Sequence, residues 1–299
     1  MMSPIQVYKY IERQLAMGNH QRGLKFIDLL LNEDDCKKRL ELYQKKASVL
    51  VLLGQETQAV AVLAQAIEEF PSSFELRFQK SLTLMNQGLY LSAQSELDLL
   101  DALYPNHPDV YLSRIEIAEW QEAYQKVIEL SRHILVYTEE KYDFLMAKSR
   151  AHVKLGEFDL AIEALYQAEQ EPELTSLSKG LIYSDLGYIY MLKSDYEEAQ
   201  KMLEMALEYD ELDSFAYCNL GYVLAQNGRE QEGLDFVNAA MELDAQYSYA
   251  FKIRGQIYLL MNKNRLALMD FKLAQKMGYE IDFDEEVNIL LKELMQQFN

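Results

Sequence analysis

The sequence predicts an all-α chain, a solenoid of about eight stacked helical hairpins closed by a C-terminal capping helix. Three observations carry this. Gly187, Gly221 and Gly255 stand 34 residues apart, and Ala199, Gly233, Ala267 and Ala206, Ala240, Ala274 keep the same interval. A fixed period of that length marks a repeated pair of antiparallel helices. The recurring residues are also small, as they must be where two helix backbones approach closely. Finally, 12 Gly and 5 Pro in 299 residues leave little room for loops, while a hydrophobic content of 49% is enough to fold.

Taken in order, the first hairpin runs from about Pro4 to Cys36, with Gly18 in the turn and Gly23 at position 20 of the unit. Two extra residues follow within Asn32–Lys38. The next units start at Leu40, Phe74, Pro108 and Tyr142. They place Ala59, Ala93, Val127 and Ala161 at position 20, and Gly54, Gly88, Glu122 and Gly156 in the turn at position 15. Pro71 and Pro105 stand at helix-ending positions. The Pro108 unit is the weakest, with Ile115, Val127 and Glu122 where small residues are expected, and is read as a bend. At Glu169–Lys179 the spacing from Ala161 to Ala199 widens to 38, so Pro172 ends a helix and four added residues are expected to lengthen the loop. This seam divides an N-terminal array, 1–170, from a C-terminal array of three regular repeats, 171–279. Residues 280–299 form the cap, an amphipathic helix over Phe283–Phe298 with Val287, Leu290, Leu291 and Leu294 on one face.

The net charge of −19 argues against nucleic acid and against an anionic membrane surface, both of which call for Lys and Arg. The charge is uneven. Residues 1–150 carry 17 basic and 21 acidic side chains, and residues 151–299 carry 12 and 27. Such asymmetry steers a basic partner or simply keeps the chain soluble. Cys36 and Cys218 have no pairing pattern, and no apolar run reaches signal-peptide or membrane-spanning length, so the chain reads as cytoplasmic.

No phosphate loop, dinucleotide fingerprint, nucleophile elbow or zinc spacing occurs, so neither an enzyme nor a cofactor is expected. His20, His107, His133 and His152 lack a second ligand at helical spacing. Asp282, Asp284, Glu286 and Glu293 match four positions of a calcium loop, but Val287 stands where such a loop needs Gly, and the metal reading fails.

The unit Gly180–Asp213 supplies Leu186-Gly187, Tyr190, Tyr196, Ala199, Leu203 and Ala206 at positions 7, 8, 11, 17, 20, 24 and 27. The following units supply Leu220-Gly221, Leu224, Gly233 and Ala240, then Gly255, Tyr258, Ala267, Phe271 and Ala274. This pattern resembles the tetratricopeptide repeat (TPR) family. The resemblance implies a right-handed superhelix with a concave groove that binds another protein and does no chemistry itself.

In that family positions 2, 5, 6, 9 and 12 of each first helix face the ligand. Position 2 is acidic at Glu41, Glu75, Asp109 and Asp143, then apolar at Leu181, Phe215 and Tyr249; position 9 adds Tyr188 and Tyr222. The expected groove therefore has an acidic N-terminal part and an aromatic C-terminal part. Acids in a first turn also stabilise the helix through its macrodipole, so the column has a second reading. Some family members clamp a chaperone's C-terminal carboxylate. Here only Asn219 matches that clamp, with Ser184, Tyr188, Tyr249 and Ile253 at its other positions, so such a ligand is not expected.

The resulting expectation is a non-enzymatic adaptor for an extended or helical partner segment, basic with apolar anchors. The alternatives are a self-assembling homo-oligomeric scaffold and a peptide-sensing regulator, the last weakened because the first repeat begins at about Pro4.

Overall fold

The computed structural model describes residues 4–33, 38–279 and 285–298; among them the chain is all helix, turn and loop. It divides into two compact units, 1–139 and 140–299. The first holds four hairpins: α1 (Pro4–Ala16) with α2 (His20–Leu31), α3 (Arg39–Leu52) with α4 (Glu56–Glu69), α5 (Phe74–Asn86) with α6 (Tyr90–Leu103), and α7 (Pro108–Trp120) with α8 (Tyr124–Ile134). The second holds α9 (Tyr142–Lys154) with α10 (Phe158–Glu169), α11 (Ser176–Leu192) with α12 (Tyr196–Tyr209), α13 (Ser214–Gln226) with α14 (Glu230–Leu243), and α15 (Ser248–Leu260) with α16 (Asn264–Lys276). The last helix, α17 (Glu285–Phe298), buries Leu291 and Leu294 against Ala267 and Phe271. The eight hairpins and the terminal helix match the architecture expected from the period. The side chain of Val287 and residues 280–284, with most of the calcium-like segment, lie outside the described residues, as does Cys36.

Every hairpin closes with one turn. Position 15 takes a left-handed backbone in all eight, at Gly18, Gly54, Gly88, Glu122, Gly156, Ser194, Gly228 and Asn262, with φ between 53° and 78°. The next N–H then reaches back to the helix, as in Gln55 N to Leu50 O at 2.8 Å and Arg229 N to Leu224 O at 3.0 Å. This satisfies carbonyls that the helix end would otherwise orphan. Glycine takes that conformation freely; Glu122 does so at a cost.

The small residues sit where the two helices of a hairpin cross. A Cβ built on Gly221 would lie 2.6 Å from the carbonyl oxygen of Gly233, and one on Gly255 would lie 2.6 Å from the Phe271 ring. In the α9–α10 hairpin Ser149 Oγ donates across the same crossing to Ala161 O at 3.1 Å. The degenerate hairpin fills its crossing with fully buried Ile115 and Val127 instead. The divide between the two units follows this hairpin directly.

One expectation is corrected. The four extra residues after Pro172 do not simply lengthen a loop. Most enter α11, which spans 17 residues against 13 for α13, and starts one turn early. Thr175 caps that extra turn by accepting from Ser178 N at 3.0 Å. The expected seam at residue 171 therefore lies inside the second unit.

Candidate functional site

Adjacent first helices touch in a fixed register, position 9 of one against position 6 of the next. Lys45 Nζ lies 3.1 Å from Glu12 Oε1, and Gln79 Nε2 donates to Ser48 Oγ at 2.9 Å. The same register in the second unit sets Arg150 on α9 against Asp185 on α11. Residues at positions 2, 6 and 9 thus share one face in each unit.

On that face of the second unit a cleft of about 420 Å³ opens between α9, α11 and the start of α13. Val153, Phe158, Tyr188, Ile189, Leu192 and Phe215 form its apolar wall, and Arg150, Lys154 and Asp185 add charge. Leu181, Asp185, Tyr188 and Leu192 follow at helical spacing along one side of α11. Burial raises the Asp185 carboxyl to about 6, Arg150 pulling the other way and Asp213 adding to the rise.

A ladder of rings continues from the cleft. Tyr188 and Phe215 have centroids 5.4 Å apart, Phe215 and Tyr249 another 5.4 Å, and Tyr249 and Tyr279 6.3 Å. The Tyr249 hydroxyl donates to Asn219 Oδ1 at 2.7 Å, and desolvation holds its phenol well above the usual tyrosine range. Tyr222 and Tyr249 both pack on the buried cluster of Cys218, Val237 and Ile253. The structure therefore joins Tyr188, Phe215, Asn219 and Tyr249. These rings are half-buried; Leu181, 55% exposed, is the side chain of the set that stands out into solvent.

The position-2 acids differ in their surroundings. Glu41 accepts from the Tyr8 hydroxyl and lies 3.3 Å from Lys38 and 3.7 Å from Lys45; the Tyr8 bond, then the two lysines, hold its carboxyl low. Glu75 accepts from Ser73 Oγ at 2.8 Å, at the cap of its own helix. Asp109 and Asp143 are exposed, and Asp109 lies 3.9 Å from His107. Glu41, Glu75 and Asp109 belong to the first unit and Asp143 to the second.

Arg150, Lys154, Phe158 and Asp185 were not singled out from the sequence. The wall they build spans two repeats, so no single-repeat column shows it, although the register of positions 9 and 6 pairs Arg150 with Asp185. The histidines take structural places: His133 bonds Asn106 at 2.8 Å and stacks on Tyr111, His107 packs on Phe74, and His152 bonds Glu157 at 2.6 Å. Cys218 is buried, and desolvation pushes its thiol far up. No helix among the described residues is long and apolar enough to cross a membrane.

Comparison with known proteins agrees with the helical-hairpin fold. Profiles described as Tetratricopeptide repeat match residues 40–73 and 184–248. The TPR repeat-containing protein YpiA of Bacillus subtilis is 21% identical over 212 residues, covering 70% of this chain and 48% of that protein, so the match spans about half the length of this relative. A crystal structure of a tetratricopeptide repeat protein from Parabacteroides merdae superposes with a TM-score of 0.69 at 17% identity, over 86% of this chain and 98% of that one. The APC/C hetero-tetramer Cut9–Hcn1 gives a TM-score of 0.61 at 15% identity, over 98% of this chain and 56% of that one. Repeats of this kind build scaffolds for protein–protein interaction. On its 34-residue period, its eight hairpins and these matches, the chain is a tetratricopeptide-repeat protein.

Proposed function

We propose that this protein is an adaptor whose second unit holds an extended or helical segment of a partner protein on the face formed by α9, α11, α13 and α15. The observation that carries this is the open apolar cleft beside the ring ladder. An aliphatic or aromatic side chain of the partner enters the cleft against Tyr188 and Phe215, and Leu181 covers it from two turns earlier in α11. Burying such an anchor contributes about 1.5–3 kcal/mol, enough with a few backbone contacts for a micromolar complex. Asn219, Tyr222 and Tyr249 support the site from beneath. Asp143, exposed on the same unit, adds a preference for Lys or Arg in the partner.

A pull-down from native cytosol tests this, comparing wild type with a Leu181→Asp/Tyr188→Ala variant. Leu181 is exposed and Tyr188 is half-buried in the cleft wall, so neither belongs to the core and the variant keeps the fold. Replacing Tyr249 would be a poorer test, because it is packed on the core. A partner captured by wild type and lost by the variant supports the reading; equal capture by both counts against it.

A further inference from the structure

The first unit carries a second exposed aromatic surface, of different chemistry. Trp120, the only tryptophan of the chain, ends α7 and is 69% exposed. One indole face is stacked on Tyr90, with centroids 6.0 Å apart and planes at 30°. Beside it opens a cleft of about 360 Å³ lined by Glu116, Glu119, Trp120, Glu122 and Tyr124. Two aromatic rings and three carboxylates make up that lining, with no basic side chain among them.

Elsewhere the protein pairs its rings with its own cations, Lys38 over Tyr8 at 3.7 Å and Arg114 over Tyr111 at 5.4 Å. Trp120 has no such cation among the described residues, although tryptophan offers the best ring face for one. Large aromatic side chains left in solvent, in a rim of polar groups, mark interaction surfaces.

We infer that this surface binds a cationic side chain, an arginine before a lysine, from a basic segment of a partner protein. The exposed carboxylates of Glu116 and Glu122 exclude an anion and attract a cation. The flat guanidinium both stacks on the indole and forks to a carboxylate, which an ammonium cannot do. The site lies in the first unit and does not depend on the groove proposed for the second.

Trp120 is its own reporter, because the intrinsic tryptophan fluorescence of the chain comes from it alone. The full chain is titrated with a Gly-Arg-Gly-Arg peptide, with Gly-Lys-Gly-Lys and Gly-Ser-Gly-Ser peptides alongside. The expected result is a saturable emission change with the arginine peptide, a weaker one with lysine and none with serine. Glu116→Gln/Glu122→Gln changes two exposed carboxylates and keeps the fluorophore; affinity falls by about two- to thirtyfold, as loss of two close charges implies. The high net charge attracts any basic peptide, so Glu197→Gln/Glu204→Gln on α12 serves as the control and leaves affinity unchanged. Equal losses in the two variants, or no saturable change with the arginine peptide, overturn the inference.

Discussion

The glycines at the helix crossings give the sharpest test of why the repeat has its spacing. Gly221→Ala adds a methyl group 2.6 Å from Gly233 O and 2.7 Å from Val237 Cγ2. The first neighbour is backbone, and no rotamer relieves it, so α13 and α14 must move apart. Overpacking costs about 1–3 kcal/mol, and a backbone neighbour puts this site in the upper part of that range, about 2–3 kcal/mol. Replacing a mid-helix glycine by alanine returns roughly 1 kcal/mol of helix propensity. The net destabilisation is then about 1–2 kcal/mol. Gly180→Ala is the matched opposite. Its new Cβ would meet Tyr209 Cβ at an ordinary 3.5 Å and Asp210 Cβ at 3.3 Å, a tight contact that Asp210, just past the end of α12, relieves by shifting a few tenths of an ångström. There the propensity gain dominates, and the variant is stabilised by about 0.5 kcal/mol. Unfolding of a repeat array is not reliably all-or-none, so the assay is native-state hydrogen exchange read on the amides of α13 and α14. Gly221→Ala should speed exchange there by roughly 5–30-fold, and Gly180→Ala should slow it in α11 and α12. Protection unchanged or raised in Gly221→Ala would refute the close-approach argument.

Other outcomes follow from single residues. The folded protein holds Asp185 at about 6 against the usual 3.8, so it binds the proton more tightly than the unfolded chain does. Its contribution is greatest below 3.8 and is lost as pH rises through 6, amounting to at most about 3 kcal/mol. Urea midpoints of wild type and Asp185→Asn should therefore diverge between pH 4 and 7 in favour of the variant; parallel curves would contradict this. Glu122→Gly relieves a left-handed glutamate, φ 53°, and should raise the stability of the α7–α8 hairpin by about 1 kcal/mol in exchange measurements. Arg254 forks onto nearly buried Asp270 at 2.7 and 2.8 Å, so Asp270→Ala should cost about 3–5 kcal/mol and loosen α15 from α16 in the same experiment.

Much of the fold was legible because the repeat is written in residues that geometry constrains. Two helices cannot cross closely without Gly, Ala or Ser at positions 8 and 20, and the turn needs a left-handed residue at position 15. Those demands recur every 34 residues and survive local lapses such as Ile115 and Glu122. The extra turn of α11 was less legible. Thr175 and Pro172 both announce a boundary, yet composition does not say whether four added residues coil or continue the helix. The site was half legible. Column reading found Leu181, Tyr188 and Phe215 on one face. It did not show that Tyr249 sinks onto the core through Asn219, nor that Arg150, Phe158 and Asp185 complete a cleft across two repeats. Burial depends on neighbours from other units, which a periodic reading averages away. The Trp120 surface was missed for the opposite reason, since it belongs to the one hairpin that departs from the pattern.

The claim that the groove of the second unit is where a partner sits is tested most directly by hydroxyl-radical footprinting of side chains, with and without the captured partner segment. The account predicts that the segment lowers labelling of Leu181, Tyr188 and Phe215, and leaves Leu160 and Tyr166 on α10 labelled as before. Protection of Leu160 and Tyr166 with Leu181, Tyr188 and Phe215 unchanged would place the partner on the second helices and contradict it.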